Sequence, residues 1–418
     1  MKIAIVGSGI SGLGAAYLLR QQHDVMVFEK NDYVGGHSRT VDIKTNDGNI
    51  PVDTGFIVFN HRNYPHLTGL FDHLDVPVVK SDMSFGVSVN HGWLEYGTRK
   101  LHHLFAQKRN IFRPEFARMI RDIMVFNKQA MHYINADTSV SLGKCLDELG
   151  MGPWFKRYYL LAMGASIWST PSQGMLEFPA STFIRFFHNH GLLTVNEQPQ
   201  WYTVQGGSKE YVKRLTEALD DIHTSCAVSC VKRSQKGIDI IKSDGNIEHV
   251  DQVIFACHSD QALRMIDRPS KQHQEILGAI KYQNNTMFLH EDVSFMPKRK
   301  SAWSSWVYLS EEKEDRSHAV SLSYWMNNLQ PLQTTKPIIV TLNPSKEPAC
   351  ELVHDHYVFE HPVFDAGAMN AQQRLDEIQG VDGMWFTGAW QRYGFHEDGL
   401  LSAVRVAKKL GGEVPWQQ

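Results

Sequence analysis

Lys2-Ile3-Ala4-Ile5-Val6-Gly7-Ser8-Gly9-Ile10-Ser11-Gly12, continued by the small-residue run to Ala16 and then by Asp24-Val25-Met26-Val27-Phe28-Glu29, is the stretch on which the fold turns. Lys2 to Val6 reads as a buried parallel strand, Ile10 to Arg20 as the helix after it, and Asp24 to Glu29 as a second strand, which together make a βαβ unit. Three glycines, Gly7, Gly9 and Gly12, sit between strand and helix. The first permits a tight turn, the second lets backbone approach a pyrophosphate, and the third lets the helix pack on the sheet. The helix start, Ser11 included, offers free N–H groups and a positive dipole end to phosphates. Glu29 ends the second strand, where an acid accepts hydrogen bonds from ribose hydroxyls. A glycine turn alone is weak evidence for a dinucleotide; one with this strand, helix, second strand and terminal acid is not. An acid at 29 also disfavours a 2′-phosphate.

Further motifs recur outward from this unit. Gly35-Gly36-His37-Ser38-Arg39-Thr40 follows the second strand, and Asp53-Thr54-Gly55-Phe56 comes soon after. Val204-Gln205-Gly206-Gly207-Ser208 precedes a helix, Ile254-Phe255-Ala256 ends a strand, and Trp385-Phe386-Thr387-Gly388 leads to the glycine-rich Gly394 to Gly399. Taken together these motifs, spread over nearly the whole chain, resemble the flavin-containing amine oxidase superfamily, which includes monoamine oxidases, protoporphyrinogen oxidase and phytoene desaturases. The resemblance implies noncovalent FAD. It implies cofactor contacts at Gly7, Gly9, Ser11, Gly12, Glu29, Gly36, His37, Ser38, Arg39, Thr54, Gly55, Phe56, Val228, Gly388, Asp398 and Leu400. Backbone N–H groups near Leu400 would stabilise negative charge on the reduced flavin. Three departures stand out. His37 occupies the place of the family's usual Arg, so that pyrophosphate contact is either weaker or moved to Arg39. Ala389 follows Gly388 where an acid is usual. No Cys lies between Gly388 and Leu401 to bind flavin covalently.

The expected fold class is therefore α/β: a discontiguous Rossmann-like FAD-binding domain (1–60, 200–266 and 381–418) with an inserted α+β substrate domain. The segment 61–199 reads as largely helical, with helices at Phe112 to Ile134 and at Val140 to Leu149, the latter capped by Ser139 or Ser141. The segment 267–380 reads as strand-rich. The last helix is expected from Leu400 to Leu410.

On the substrate side, the resemblance implies a lysine near the flavin in amine oxidases. The matching strand here, Tyr282 to Leu289, has none. The closing run Trp390-Gln391-Arg392-Tyr393-Gly394-Phe395-His396-Glu397-Asp398-Gly399 places three aromatics, a histidine and two acids at the expected flavin edge. His396 and Glu397 are candidates for an acid/base pair, with Tyr393 as a catalytic neighbour. A core role for the aromatics and a capping role for the acids account for the same run. The stretches GFHEDG, GGHSRT and VDTGFIVFN resemble a narrower group of bacterial flavoproteins found with cyclopropane fatty acid synthases. That resemblance implies dehydrogenation of an unsaturated or methylated fatty acyl chain, with a lipid methyltransferase as partner. The alternatives are an amine oxidase and a flavin-binding accessory protein.

Charge and composition narrow the field. The formal net charge is −3, so no global basic field argues for nucleic acid. Five cysteines without a CxxC pair give no metal motif. Met1 and Lys2 lead directly into the first strand, which is not the pattern of a signal peptide, so a cytoplasmic setting is expected. Arg99 to Arg121 holds seven basic residues against Glu115 as its only acid, interleaved with Leu101, Leu104, Phe105, Phe112 and Phe116. Lys298-Arg299-Lys300 precedes Trp303 and Trp306. Such runs suit peripheral contact with an anionic membrane; a solvated helix face over core aromatics fits them equally.

Overall fold

The computed structural model describes residues 1–45, 48–137, 140–168, 172–194, 198–235, 237–312 and 318–417. Strand β1 (Lys2–Val6) runs into helix α1 (Ile10–Leu19), and strand β2 (Asp24–Phe28) returns parallel to β1, with Val6 opposite Phe28. Further along the chain come helices α2 (Pro65–His73), α3 (Pro114–Gln129), α4 (Ala180–Asn189) and α5 (Lys209–Thr216). Strands β3 (Gln252–Phe255), β4 (Lys281–His290), β5 (Val353–Val363) and β6 (Met384–Phe386) come next, and helix α6 (His396–Lys409) closes the chain.

A five-stranded parallel sheet orders Ile222–His223, β2, β1, β3 and β6 side by side. Its inner strands read as nearly continuous apolar runs because both faces are covered. Ile3, Ile5, Val27 and Ile254 face α1 and α6, meeting Ala15, Leu19, Ala403 and Val404. Ala4, Val6, Phe28 and Phe255 face the other way, onto Val231, Ile238 and Ile240 of a three-stranded antiparallel sheet. Every residue of α1 is buried, since one side of this helix lies on the sheet beside α6 and the other meets α2 and α5.

A second sheet of seven strands runs β5, β4, Ile339–Leu342, His318–Trp325, Trp306–Glu312, Phe85–Val89, Leu94–Gly97. Two of these strands fall inside the segment expected to be largely helical. Phe85–Val89 is buried at all five positions and pairs on both edges; Phe85, Val87 and Val89 alternate with Gly86 and Ser88 as a strand does, but the run is only five residues long and sits in a stretch read as helical. Helices do fill much of the chain between α3 and α4, and Ser141 caps Leu142–Glu148 through Lys144 N–H; Ser139 lies outside the described residues. The closing helix also differs from expectation. It starts at His396, four residues before Leu400, because Gly399 is helical and the turn ends at Gly394, whose φ is +89°.

Candidate active site

Helices α1 and α6 each follow a parallel strand and pack side by side in the same direction, which brings their N-terminal ends together. Glycines set the spacing. A Cβ on Gly399 would lie 2.9 Å from Ser11 Oγ, and one on Gly14 would lie 2.7 Å from the Leu400 side chain. Ser11 and Leu400 thus form the contact between the two helices. Leu400 is the fifth residue of α6, so its N–H belongs to the helix ladder. The orphan N–H groups expected there sit instead at His396 to Asp398.

The three glycines of the first turn have separate tasks. A Cβ on Gly7 (φ +110°) would meet Ala256 O at 2.7 Å, and one on Gly12 would fall 1.9 Å from Gly7 O. A Cβ on Gly9 would meet nothing within 4 Å. The first and third are packed; the second faces open space. Helix α1 has no side-chain cap and no acid in its first turn, so its N–H groups and dipole remain available to an anion.

Glu29 is buried at the end of β2. One carboxylate oxygen accepts from Ser8 N–H (3.0 Å) and from the Ser8 hydroxyl (2.6 Å), and the other accepts from Asn31 N–H (2.9 Å). The second oxygen retains a lone pair for a further donor such as a ribose hydroxyl. Cys226 N–H donates to Glu29 O at 2.8 Å, which brings Val228 to the same end of the sheet. Gly35 N–H donates to Ser8 O at 3.0 Å, and a Cβ on Gly36 (φ +58°) would lie 3.1 Å from Gly9 Cα. The second glycine pair therefore rests on the first.

Backbone pairing then joins the motifs at His37–Arg39 and Thr54–Phe56. Phe56 N–H donates to His37 O (2.8 Å) and Thr54 N–H to Arg39 O (2.9 Å), while a Cβ on Gly55 would strike His37 O at 2.1 Å. Arg39 does not stand free for a pyrophosphate. Its guanidinium contacts Asp355 of β5 at 2.5 and 3.2 Å, donates to Thr54 Oγ1, and lies 4.6 Å above the Tyr357 ring. Asp355 matches its charge, so Arg39 fastens β5 to this turn. Gly388 (φ +156°) is likewise structural: a Cβ there would meet Trp390 Nε1 at 2.3 Å, and its N–H donates to Ser402 Oγ at 2.8 Å.

His396 is the centre of a knot. Its ring stacks on Phe56 with centroids 4.0 Å apart and planes 11° apart. Its Nε2 lies 2.7 Å from the Tyr211 hydroxyl and 3.3 Å from Ser38 Oγ, and Ser38 and Tyr211 also touch. Burial pushes the imidazole down to about 3, helped by nearby His37. His37, 5.0 Å from Phe359 and 5.5 Å from His361, is pushed by burial to about 4; His258, stacked on Tyr282, also falls to about 4, and His361 to about 3. Tyr211, His258 and His361 escaped the sequence reading. Tyr211 occupies a buried position on amphipathic α5, where a core aromatic is the ordinary inference, and no motif marks the two histidines.

The expected pairing of His396 with Glu397 does not form. Adjacent helical positions point apart. The Glu397 carboxylate turns to α2, accepting from His66 N–H (3.0 Å) and Leu67 N–H (2.9 Å), and burial raises it to about 7. Asp398, expected at the cofactor, accepts from Tyr393 N–H (3.2 Å) and Phe395 N–H (3.1 Å) and pairs with Arg392 at 3.3 Å. It caps its own helix. Glu397 and Tyr393 line a cavity of about 340 Å³ together with Pro65, His190, Phe395 and Leu401.

These features fit a dinucleotide: an uncapped helix N-terminus, a glycine facing open space, a buried acid with a spare lone pair, and the Thr387 hydroxyl at the end of β6, buried with no hydrogen-bond partner. They define a Rossmann-type nucleotide-binding protein. The family model described as "Flavin containing amine oxidoreductase" matches residues 10–342, and the chain belongs to that family; it is an FAD-dependent oxidoreductase. A 1-hydroxycarotenoid 3,4-desaturase from Flavobacterium sp. (strain P99-3) is 38% identical over 85 residues, a match that spans 20% of this chain and only 16% of that protein. The fold is shared with cyclohexylamine oxidase from Brevibacterium oxydans IH-35A (TM-score 0.70, 14% identity, 98% of this chain and 99% of that one). It is also shared with a CLA-producing fatty acid isomerase from P. acnes (TM-score 0.66, 14% identity, 97% and 98%). Among the described residues no helix is long and apolar enough to cross a membrane.

Proposed function

We propose that the chain dehydrogenates a hydrophobic acyl substrate, with Glu397 as the group that takes the proton. The observation that carries this reading is the cavity where Glu397 meets an aromatic wall. Phe395 stacks on Phe186 of α4 at 5.3 Å, Tyr393 stands 6.0 Å from the same ring, and both pack against the large apolar core of the helical lobe. An acyl chain needs such apolar surface. Lys281, the lysine of β4, is exposed and pairs with Asp365 at 3.4 Å, which speaks against the amine-oxidising alternative. A protein of the same fold is named as a fatty acid isomerase.

Bound FAD supplies the two-electron acceptor for a hydride leaving a substrate carbon. A double bond then forms only if the neighbouring carbon gives up a proton. Glu397, held near 7, is partly ionised at neutral pH, the condition that favours a general base. Two backbone N–H groups of α2 fix its carboxylate, and an acyl chain laid against Tyr393, Phe395 and Leu401 would itself displace water from the reacting carbon. His396, pushed to about 3, is too weak a base for this task. The Tyr282 hydroxyl accepts from Ser259 N–H and burial holds it above the usual phenol range; it stays protonated.

Anaerobic flavin reduction tests the reading. Lipids carrying unsaturated or methyl-branched acyl chains should bleach the flavin, and the rate should rise with pH through about 7 as Glu397 ionises. Glu397→Gln should slow reduction by about 10²–10⁴-fold with flavin content near wild type. Bleaching by amines and not by lipids would sink the proposal, as would a variant that reduces at the wild-type rate. Reduction by neither class would favour the accessory role beside a lipid methyltransferase.

A further inference from the structure

The helical lobe carries a surface that the site does not use. Phe112 is 84% exposed, Met124 66%, Ile111 58% and Trp93 39%. Single exposed apolar residues are ordinary, but Trp93, Ile111 and Phe112 are neighbours, and Met124 lies on the helix that follows. Arg113 donates to Trp93 O at 3.1 Å and lies 4.9 Å above its ring, which holds Trp93 against the turn that ends in Ile111 and Phe112. Helix α3 continues from that turn, and its exposed stripe reads Ala117, Arg121, Met124, Lys128.

Charge around these side chains is mainly positive, although Arg99 pairs with Asp82 at 3.4 Å and Glu311 stands against His91. Residues 99–130 hold eight Lys and Arg against Glu115 and Asp122, in a chain whose formal net charge is −3. Asp122 is buried, contacted by Arg118 and Arg121 and by Gly152 N–H, so Glu115 is the one exposed acid of that segment. The turn Lys300–Ala302 packs beside Leu101–Phe105 and adds exposed Lys298 and Lys300. Arg299 adds nothing, because it pairs with buried Glu95 at 2.7 Å.

We propose that Trp93, the turn Lys108–Phe112 and the exposed stripe of α3 dock on an anionic phospholipid bilayer. Aromatic and aliphatic side chains at the tip enter the interface while the surrounding cations meet phosphate headgroups. A protein partner fits less well. Lysine is depleted from protein interfaces, and here cations separate the apolar side chains, which suits a fluid surface more than a shaped one. The inference goes beyond the dehydrogenase reading and does not depend on it.

Co-sedimentation with vesicles tests it, using the holoprotein. Phosphatidylcholine vesicles containing about one third phosphatidylglycerol should bind the protein at low salt and release it at high salt. The triple variant Lys108→Ser, Lys128→Ser, Lys300→Ser should bind about a hundredfold more weakly, at about fivefold per cation. Phe112→Ser should lose about tenfold through the apolar contact alone. All four side chains lie outside the site, so flavin content and flavin reduction by detergent-dispersed lipid should be unchanged in both variants. Absence of binding at low salt, equal binding to pure phosphatidylcholine, or variants that bind like wild type would each overturn the proposal. The first outcome would leave the patch as a protein interface. Flavin reduction by lipid in solution with no vesicle binding would sink this inference and spare the dehydrogenase reading.

Discussion

The opening turn, Gly7 to Gly12, and the closing turn, Gly388 to Gly399, do the same job by different means. Each ends a parallel strand and starts a helix, and the two helix N-termini meet. In the opening turn the protein works through backbone: two glycines are packed against carbonyl oxygens, one faces open space, and no side chain caps α1. In the closing turn side chains reach outward. Asp398 folds back on Tyr393 and Phe395, Glu397 crosses to α2, and His396 reaches Ser38 and Tyr211 on two other segments. A site made of backbone carries its own signature in consecutive residues. A site made of side chains depends on which distant segments come to meet it.

The contrast is sharpest within the opening turn. Gly12→Ala should abolish the holoprotein, because the new Cβ would sit 1.9 Å from Gly7 O and backbone on both sides has no room to yield. Gly9→Ala should fold normally, since its Cβ meets no protein atom within 4 Å and its φ of −68° suits alanine. The methyl would instead occupy the approach to the pyrophosphate, so the protein should be soluble, cooperatively folded and colourless. Circular dichroism beside visible absorbance separates the two outcomes. Gly12→Ala purified as a yellow protein would show that the opening turn is not backbone-limited.

The same contrast explains what the sequence revealed. The βαβ unit, the second glycine pair and the acid at Glu29 were legible because spacing alone determines their geometry. Strands β3 and β6 were legible as short apolar runs that end at recognisable motifs, whereas β4 mixes polar and apolar residues and was marked only by its strand-like character. Phe85–Val89 was not, although Phe85, Val87 and Val89 alternate with Gly86 and Ser88, because five residues are a short signal and the surrounding segment is mostly helical. The role of Arg39 was misread because Asp355, its partner, lies more than three hundred residues away. The start of α6 was misplaced because Gly399 looks like a turn residue, whereas its missing side chain makes room for Ser11 and Ile10. His396 and Glu397 were read as an acid/base pair because they are neighbours in sequence, but successive helical residues face different ways and the two side chains reach different segments.

Acid should break the closing region first. Burial holds His37 and His258 to about 4 and His361 and His396 to about 3, against about 6.5 in an unfolded chain. Between those values the unfolded chain binds more protons than the native one, so stability is lost as pH falls from about 6.5 toward 4. Asp53, raised to about 6, and Glu397, raised to about 7, act in the opposite sense. Their stabilisation is full below about 4 and is lost as pH rises from there through 6 to 7. Four histidines outweigh two carboxylates, so the melting temperature should fall between pH 7 and pH 5, with flavin released before the parallel sheet unfolds. A melting temperature that is level or higher at pH 5 would show that these imidazoles are not desolvated as the packing requires.

The smallest effect is expected at the residue that joins the two turns. His396 holds Ser38 and Tyr211 through Nε2 and covers Phe56. Removing it forfeits a neutral hydrogen bond worth about 0.5–1.5 kcal/mol and a ring contact of similar size. The motifs carrying Ser38 and Phe56 both rest against the opening turn, so loosening them should weaken FAD binding by about tenfold. His396→Phe keeps the ring contact and loses only the hydrogen bonds, so its affinity should fall between those of wild type and His396→Ala. Fluorescence titration of FAD into the apoprotein gives the affinities, and single-turnover bleaching gives the reduction rate per bound flavin. That rate should stay within a few-fold of wild type in both variants, because an imidazole pushed to about 3 contributes little as a base. A fall of a hundredfold or more with flavin content intact would make His396 the base, return Glu397 to a capping role on α2, and show that the closing turn does its chemistry at the joint itself.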